Sequence, residues 1–541
     1  MEIRERPHLD LRTGNAMINI RERIRSSEFV QSLPLVNEVV VSRLILVLAI
    51  SAGSFLRIWQ IDAMGYNTDE AVYSGQAAAI AGVAGLKDIF PIFRAHPLLF
   101  QFLLSILYKI QFSDLLGRLL SVAIGIGTLF LTYQIGKTLY GRIQGSLAAA
   151  FMALMPYHII VSRQVLLDGP MTFFATLTLL MLAKFGKSQR SAWLYAAGAS
   201  MGLTFLGKET SVVMVGAIFA FLALASELRT RIWDLIIAVI LMVLVISPFP
   251  IAIMLAGGST TGRNYLVWQL FRRPNHEWSF YLTNIPLEIG FLVIAAAVLG
   301  LIFLWREHSW REKLMLAWII VPVVFFQIWP VKGFQYLLPI APPLALLAGR
   351  ALGKLVMNAK IRRPAFSFNN LLNLPVVHWS MIGVIFFTLG STSWQQIEPK
   401  TSSLFLAGTG GVPGGREAGN WIQANVPTNS MFLTIGPSMA NIIEFYGARV
   451  AYGLAVSPNP LHRNPSYDPI NNPDAQIRGS NLQYLVWDSF SADRSTFFSD
   501  KLLGYVKKYN GRAVHTESIT IKDERGNSIV RPVIIIFEVH R

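Results

Sequence analysis

The stretch IWDLIIAVILMVLVISPFPIAIMLA, residues 232–256, carries one charged side chain, Asp234, in 25 positions. A helix of that length is about 37 Å long at 1.5 Å per residue, enough to cross the roughly 30 Å hydrocarbon core of a bilayer. Outward from it, apolar segments recur at approximately 39–59, 97–112, 115–136, 143–162, 169–183, 192–206, 210–226, 285–305, 314–330, 334–353 and 376–394. Such runs need lipid or a very large core. The composition agrees. Of 541 residues, 53% are hydrophobic and 14% charged, and the mean hydropathy is +0.46, whereas soluble chains carry about 25% charged residues. This excludes a cytosolic enzyme, a disordered tail protein and a coiled coil. The reading is an α-helical polytopic membrane protein.

Segment 97–112 is short, begins at His96-Pro97 and contains Gln101, Lys109 and Gln111. Charge decides its role. If it lies in the interface and the N-terminus is inside, loops 137–142, 184–190, 227–231, 306–313 and 354–363 face the cytoplasm with 14 Lys and Arg in 36 residues. The outer loops 60–118, 163–168, 207–209, 257–284 and 331–333 then hold 10 in 99. This satisfies the positive-inside rule, and letting 97–112 cross would invert every later loop. About eleven transmembrane helices follow, in the plasma membrane, with the N-terminus cytoplasmic and the C-terminus outside.

Residues 1–38 read as a cytoplasmic tail with an amphipathic helix near 18–29 and no cleavable signal. Residues 39–395 form the membrane module, whose outer loop 60–114 holds two or three interfacial helices. Residues 396–541 read as an extracytoplasmic α/β domain. It opens on a Gly-rich linker, 408–415. Helices are expected at 416–425, 437–446 and 497–509, and strands at 431–435, 449–453, 483–487, 513–521 and 530–539. A Pro/Asn-rich connection, 457–474, lies between them. The net charge of +16 comes without a basic, aromatic-interleaved stripe, so no nucleic acid is expected. The absence of Cys removes disulfides and thiol nucleophiles.

Ionisable residues at membrane depth are costly and mark function by default. The outer ends of the spans gather Asp69 and Glu70, His96, Asp168 with Arg163, Lys208 with Glu209, and Lys332; Arg94 and Arg263 lie on the same side. A carboxylate there can take a proton from an acceptor hydroxyl. Cations can stabilise a departing phosphate. Together these point to transfer from a lipid-linked phosphate donor at the outer leaflet. Structural readings stand beside the chemical ones. Asp69 and Glu70 can cap a helix beginning at 70, and Asp168 can cap span four. Arg163 can pair with Asp168, and Lys208 with Glu209. His276 and Glu277 can join Asp69 around a metal.

Several motifs carry a resemblance. They are Asn67-Thr68-Asp69-Glu70-Ala71, His96-Pro97-Leu98, the run from Ser162-Arg163 to Asp168-Gly169-Pro170, Gly207-Lys208-Glu209, and Gln335-Tyr336-Leu337-Leu338-Pro339 with Pro343 beyond. In this order the chain resembles the GT-C membrane glycosyltransferases over roughly 39–350, above all the protein O-mannosyltransferases and the lipid A aminoarabinose transferases. The resemblance implies a sugar donor on polyprenyl phosphate and a first-loop acid as catalytic base. That base maps onto Asp69, with Glu70 its partner. The second acidic motif maps onto Asp168, and phosphate-binding cations onto Lys208, Arg163 and Lys332, with His96 beside them. Tyr66, Glu209, Arg263 and Tyr336 are candidate substrate contacts. A divalent cation (Mg2+, Mn2+ or Zn2+) on Asp69 and Asp168 belongs to the same expectation. The acceptor is an extracytoplasmic glycan, lipid or protein, although the chain lacks the lectin-like insert of the protein mannosyltransferases. The rival classes are a secondary transporter or flippase, against which the one-sided charges and lack of repeats speak, and a lipid-linked oligosaccharide ligase or polymerase.

Overall fold

The computed structural model describes residues 38–90, 96–255, 268, 271–272, 274–305, 309–358, 375–398, 412–464, 467–522 and 527–540. The expected N-terminal tail helix, the first half of the Gly-rich linker, Arg94 and Arg263 lie outside the described residues.

Every apolar segment forms helix. Five helices are long and apolar enough to cross a bilayer: Glu38–Ile58, Asp114–Leu139, Asp168–Ser188, Phe334–Met357 and Val376–Ile397. Three bent pairs raise the number to eight: Arg142–Leu154 with Pro156–Ser162 at 62°, Ile232–Ile246 with Pro248–Met254 at 41°, and Phe280–Ile289 with Phe291–Ile302 at 90°. The eleven read from hydropathy include three more. Of these, Ser191–Gly207 has 17 residues, or about 26 Å. Glu209–Leu224 is also short, and Trp310–Ile328 carries Arg311, Glu312 and Lys313 in its first turn. The helix in segment 97–112 has 10 residues, Leu99–Tyr108, about 15 Å and too short to cross.

The centre of the bundle is Arg142–Leu154, buried from Ile143 to Ala153. Small residues let its neighbours approach. A Cβ on Gly136 would sit 2.5 Å from Gly145 Cα, and one on Gly349 would sit 2.6 Å from the Gln144 carbonyl. Packing through small residues is how helices associate where lipid removes the hydrophobic drive. The helix Glu38–Ile58 shows the reverse on one of its faces. Val40, Leu44, Val47 and Leu48 are all more than half exposed, a stripe at helical spacing that suits lipid.

The C-terminal part is a five-stranded sheet of order β2-β1-β3-β5-β4. The strands are β1 (Met431–Thr434), β2 (Val450–Gly453), β3 (Tyr484–Asp488), β4 (Arg512–Lys522) and β5 (Ser528–Glu538). β1 pairs in parallel with β2 and β3, while β5 runs antiparallel to β3 and β4. The parallel strands are buried on both faces, with Phe432, Leu433, Leu485 and Val486 fully covered. Helices on either side explain their unbroken apolar runs: Gly415–Asn425 contributes Ala418 and Ile422, and Thr496–Lys508 contributes Leu502.

This sheet is fastened to the outer loop. A π-helical turn, Ile443–Gly447, presents Phe445 and Tyr446. Tyr446 Oη donates to Asp114 Oδ2 (3.0 Å) and accepts from the Tyr66 amide (2.9 Å). Arg416 bonds Asp62 and the Met64 carbonyl and pairs with Asp114. Gly65 is required there, because a Cβ would lie 2.8 Å from Arg416 Cβ.

Candidate active site

The helix Thr68–Ala81 begins one residue after Asn67, and Asn67 is its cap. The Asn67 side chain accepts from the amides of Asp69 (2.9 Å) and Glu70 (3.0 Å), and Glu70 Oε2 accepts from the Asn67 amide, closing a capping box. The expectation that Asp69 caps a helix starting at 70 is corrected by this geometry. The cap position is filled, and the Asp69 side chain is released from that duty.

Glu70 is fully buried and fully used. Arg118 Nε and Nη2 donate to its two oxygens at 2.9 Å, and the Val165 amide donates at 3.1 Å. Arg118 Nη1 covers the Ile61 and Met64 carbonyls, and its Nη2 also reaches Gly65. All five guanidinium donors therefore have acceptors. Asn67 Nδ2 donates to Gln164 Oε1 (3.0 Å). The 67–70 turn and the 163–168 turn, almost a hundred residues apart in sequence, are thus one hydrogen-bonded unit.

Asp168 and Lys208 form the second feature. Lys208 Nζ donates to both Asp168 oxygens at 2.9 and 2.8 Å, buried on both sides. The ammonium also lies 4.9 Å from the Tyr336 ring centroid. The expected Arg163–Asp168 and Lys208–Glu209 pairs are replaced by this one. Glu209 bonds His96 Nδ1 at 3.0 Å instead, and Tyr73 meets the His96 ring edge-on. Asp168 is the first residue of its helix, and the cap position before it is Leu167, whose side chain caps nothing.

Asp69 stands among these groups. Burial pushes its carboxyl above the usual carboxylate range; Lys208 opposes that, Asp168 adds to it, and His96 and Glu70 act more weakly in opposite senses. Among the described residues, its side chain makes no hydrogen bond or ion pair. The site therefore holds one uncommitted, half-buried carboxylate beside a neutralised Asp168–Lys208 pair.

Three expected residues are engaged in contacts of their own. Arg163 Nη1 donates to the carbonyls of Leu56, Arg57 and Trp59, closing the C-terminal end of Glu38–Ile58. Lys332 Nζ donates to the Gln327 and Trp329 carbonyls and lies over Trp278 and Tyr281. Tyr66 is buried under the C-terminal domain, its hydroxyl donating to the Asp114 carbonyl. Arg263 lies outside the described residues. No role was read from sequence for Arg118, nor for Asn67 and Gln164, which entered only as members of motifs. The available signal was a guanidinium inside an apolar run, since Arg118 falls within 115–136.

A divalent cation does not fit this donor set. Asp168 spends both oxygens on Lys208, and among the described residues no three of His, Cys, Asp and Glu gather closely enough to hold one. His276 stacks on Phe280 with ring centroids 4.1 Å apart.

The comparisons accord with the motifs. Residues 95–253 match the family described as dolichyl-phosphate-mannose-protein mannosyltransferase. An undecaprenyl phosphate-α-4-amino-4-deoxy-L-arabinose arabinosyl transferase of Pseudomonas fluorescens is 25% identical over 303 residues, 51% of this chain and 53% of that protein. The chain spans about half the length of the curated relatives it matches. Among solved structures, ArnT from Cupriavidus metallidurans bound to undecaprenyl phosphate aligns with a TM-score of 0.60 at 16% identity, covering 91% of this chain and 97% of that one. The archaeal oligosaccharyltransferase AglB from Archaeoglobus fulgidus aligns with a TM-score of 0.54 at 13% identity, covering 91% and 74%. The chain is a multi-pass membrane protein with the GT-C fold, and it resembles the protein O-mannosyltransferases and the aminoarabinose transferases.

Proposed function

We propose that this chain is a glycosyltransferase that moves a sugar from a polyprenyl-phosphate donor to a hydroxyl of an extracytoplasmic acceptor. The observation that carries the reading is the difference between neighbours. Glu70 and Asp168 are saturated by Arg118 and Lys208, while Asp69 is held beside them with its carboxylate uncommitted. In the proposed step, Asp69 takes the acceptor's proton as the hydroxyl oxygen attacks the anomeric carbon. The bond from that carbon to the phosphate oxygen breaks, the lipid phosphate leaves, and the configuration inverts. Lys208, Tyr336 and His96 border the place where phosphate charge develops. The relatives' named donors and the undecaprenyl phosphate bound to a structure of the same fold support the choice of donor. The site, the C-terminal domain and the acceptor are read as extracytoplasmic.

Asp69→Asn separates this from a structural role. A general base contributes about 10²–10⁴-fold. The variant should melt like the parent, because Asn67 and not Asp69 caps the helix. It should bind polyprenyl phosphate normally and lose at least a hundredfold in transfer of labelled sugar. A stable Asn variant retaining activity within a few fold would place the base elsewhere.

A further inference from the structure

The helices Asp114–Leu139 and Asp168–Ser188 both start at the site and run to the other end of the bundle. Arg118, which holds Glu70, lies in the second turn of the first, and Asp168 is the first residue of the second. The two stay side by side. Toward the site, Phe173 rests on Gly127, where a Cβ would come within 2.8 Å of its ring. At the far end, Lys187 Nζ reaches the Thr138 carbonyl at 3.4 Å. Between these points the pair leaves an apolar strip open. Phe130 is 47% exposed, and Phe173, Leu177 and Met181 are half-buried. The last three recur at helical spacing, and a strip of this kind suits lipid.

The strip ends on cations. Lys137 follows Phe130 on the first helix, and its ammonium lies 5.9 Å from the Tyr133 ring centroid. Lys184 follows Met181 on the second, and its ammonium lies 4.2 Å from the Trp193 ring centroid. A ring face leaves the N–H donors unspent. Among the described residues, the side chains of Lys137, Lys184 and Arg190 make no hydrogen bond or ion pair. The turns 137–142 and 184–190 hold five basic residues and no acidic one. Two acids of this end, Glu227 and Asp234, are spent on Lys313 and on Ser191 with Tyr195. The cluster is therefore not neutralised by those acids.

We propose that this end of the strip binds a phospholipid carrying two phosphates, held by Lys137, Lys184 and Lys187, with its acyl chains along Phe130, Leu177 and Met181. Basic pockets between membrane helices select such headgroups. Tyr133 and Trp193 supply the aromatic girdle found at headgroup depth, and the lysine stems lie on apolar surface while their ammonium groups reach the phosphates. Three ammonium groups on two helices suit two phosphates better than one. The site lies across the bundle from Asp69 and does not depend on the glycosyl-transfer reading. The lipid ties together the far ends of the two helices whose near ends carry Arg118 and Asp168. The plain alternative is that these lysines only complement the carbonyl ends of their helices, which predicts no lipid selectivity.

The test uses the full chain in detergent, native mass spectrometry and thermal melts, with tetraoleoyl cardiolipin, phosphatidylcholine and inorganic phosphate as probes. Cardiolipin should bind about tenfold or more tighter than phosphatidylcholine and raise the melting temperature. A lysine beside anionic lipid is worth about fivefold in affinity. Lys137→Gln, Lys184→Gln and Lys187→Gln should each weaken cardiolipin by about that factor, and the triple variant should lose the thermal shift. Lys184→Arg keeps the charge and should keep the binding, which separates charge from packing. Arg231→Gln removes a cation at the start of Ile232–Ile246, outside the strip, and should change nothing. Equal binding of phosphatidylcholine, or cardiolipin binding unmoved in the triple variant, overturns the site. Equal loss in Arg231→Gln reduces it to diffuse surface charge, and displacement of cardiolipin by millimolar inorganic phosphate makes it a free-anion site; either result overturns the proposal.

Discussion

Asp69 and Glu70 are adjacent carboxyl groups with similar intrinsic acidity, and their surroundings divide them. Glu70 is enclosed by Arg118 and by the Asn67 and Val165 amides. Asp69 has burial and a nearby Asp168 pressing its carboxyl upward, against the pull of Lys208. Environment sets such divisions of labour between paired acids. The consequence for pH follows from the sign. A base must be deprotonated, so kcat/KM should fall as pH drops through the Asp69 pKa. That limb should lie above the ordinary Asp value of about 3.9. Lys208→Gln removes the cation that opposes the shift and leaves Asp168 unneutralised, so it should move the limb to higher pH. The readout is the pH profile of kcat/KM for parent and variant; an unmoved limb would mean that Lys208 does not act on the base. Asp69 was legible because it sits in a motif. Which of the two acids was free was not legible, because the answer lies in Arg118 and Asn67, neither of which looks catalytic in sequence.

Among the helices, the break at Met155–Pro156 shows how a kink is kept from costing stability. Pro156 has no amide hydrogen, so the Met152 carbonyl loses its partner. Arg57, fully buried, donates to the carbonyls of Met152, Ala153 and Gly53, to Ser162 Oγ and to His158 Nδ1. A guanidinium cannot accept, so His158 accepts at Nδ1 and carries its proton on Nε2. Arg57→Met should strip two buried carbonyls of partners and cost about 2–4 kcal/mol. Pro156→Ala restores an amide for Met152, so in that background the cost should shrink by about 1 kcal/mol or more. Denaturation of the four proteins in detergent measures the coupling, and strictly additive costs would remove Arg57 from the role of cap. In sequence, Arg57 reads only as a polar end to the first span. The apolar runs located the helices of the membrane module that they cover, including the short one at 99–108, but not the helices Pro473–Arg478 and Ser489–Arg494 of the C-terminal part. They located neither the bends nor the cation holding one of them, because a bend is set by which carbonyls find donors in three dimensions. The strands of the C-terminal sheet were legible from their β-branched runs, but their order was not, since adjacency of β1 to β3 depends on a 49-residue connection.

At the scale of the whole molecule, two sets of loops gather at opposite ends. Lys187 bonds the Thr138 carbonyl, Gln189 the Arg229 amide, and Lys313 pairs with Glu227, so the Lys- and Arg-rich loops 137–142, 184–190, 227–231 and 306–313 form one face. Asp69, Asp168 and Lys208 form the other, and the C-terminal domain is fastened to that second face by Arg416, Tyr446 and Asn441. The structure therefore puts site and domain on the same side, and the positive-inside rule applied to the loop charges makes that side the proposed outer one. The chain has no native Cys, so a single introduced thiol reports its own location without background. Cysteines at Lys187 and Arg231 should react with a membrane-impermeant maleimide only after the cells are opened. Cysteines at Lys501 and Arg512, in the C-terminal domain, should react in intact cells with a permeable outer barrier. The opposite pattern would invert the chain in the membrane while leaving the site intact, and would move the donor to the cytoplasmic leaflet. A mixed pattern, with Lys187 and Lys501 labelled together, would mean that the loops do not occupy two faces, and would remove the eleven-span reading along with the placement of Asp69 beside the domain.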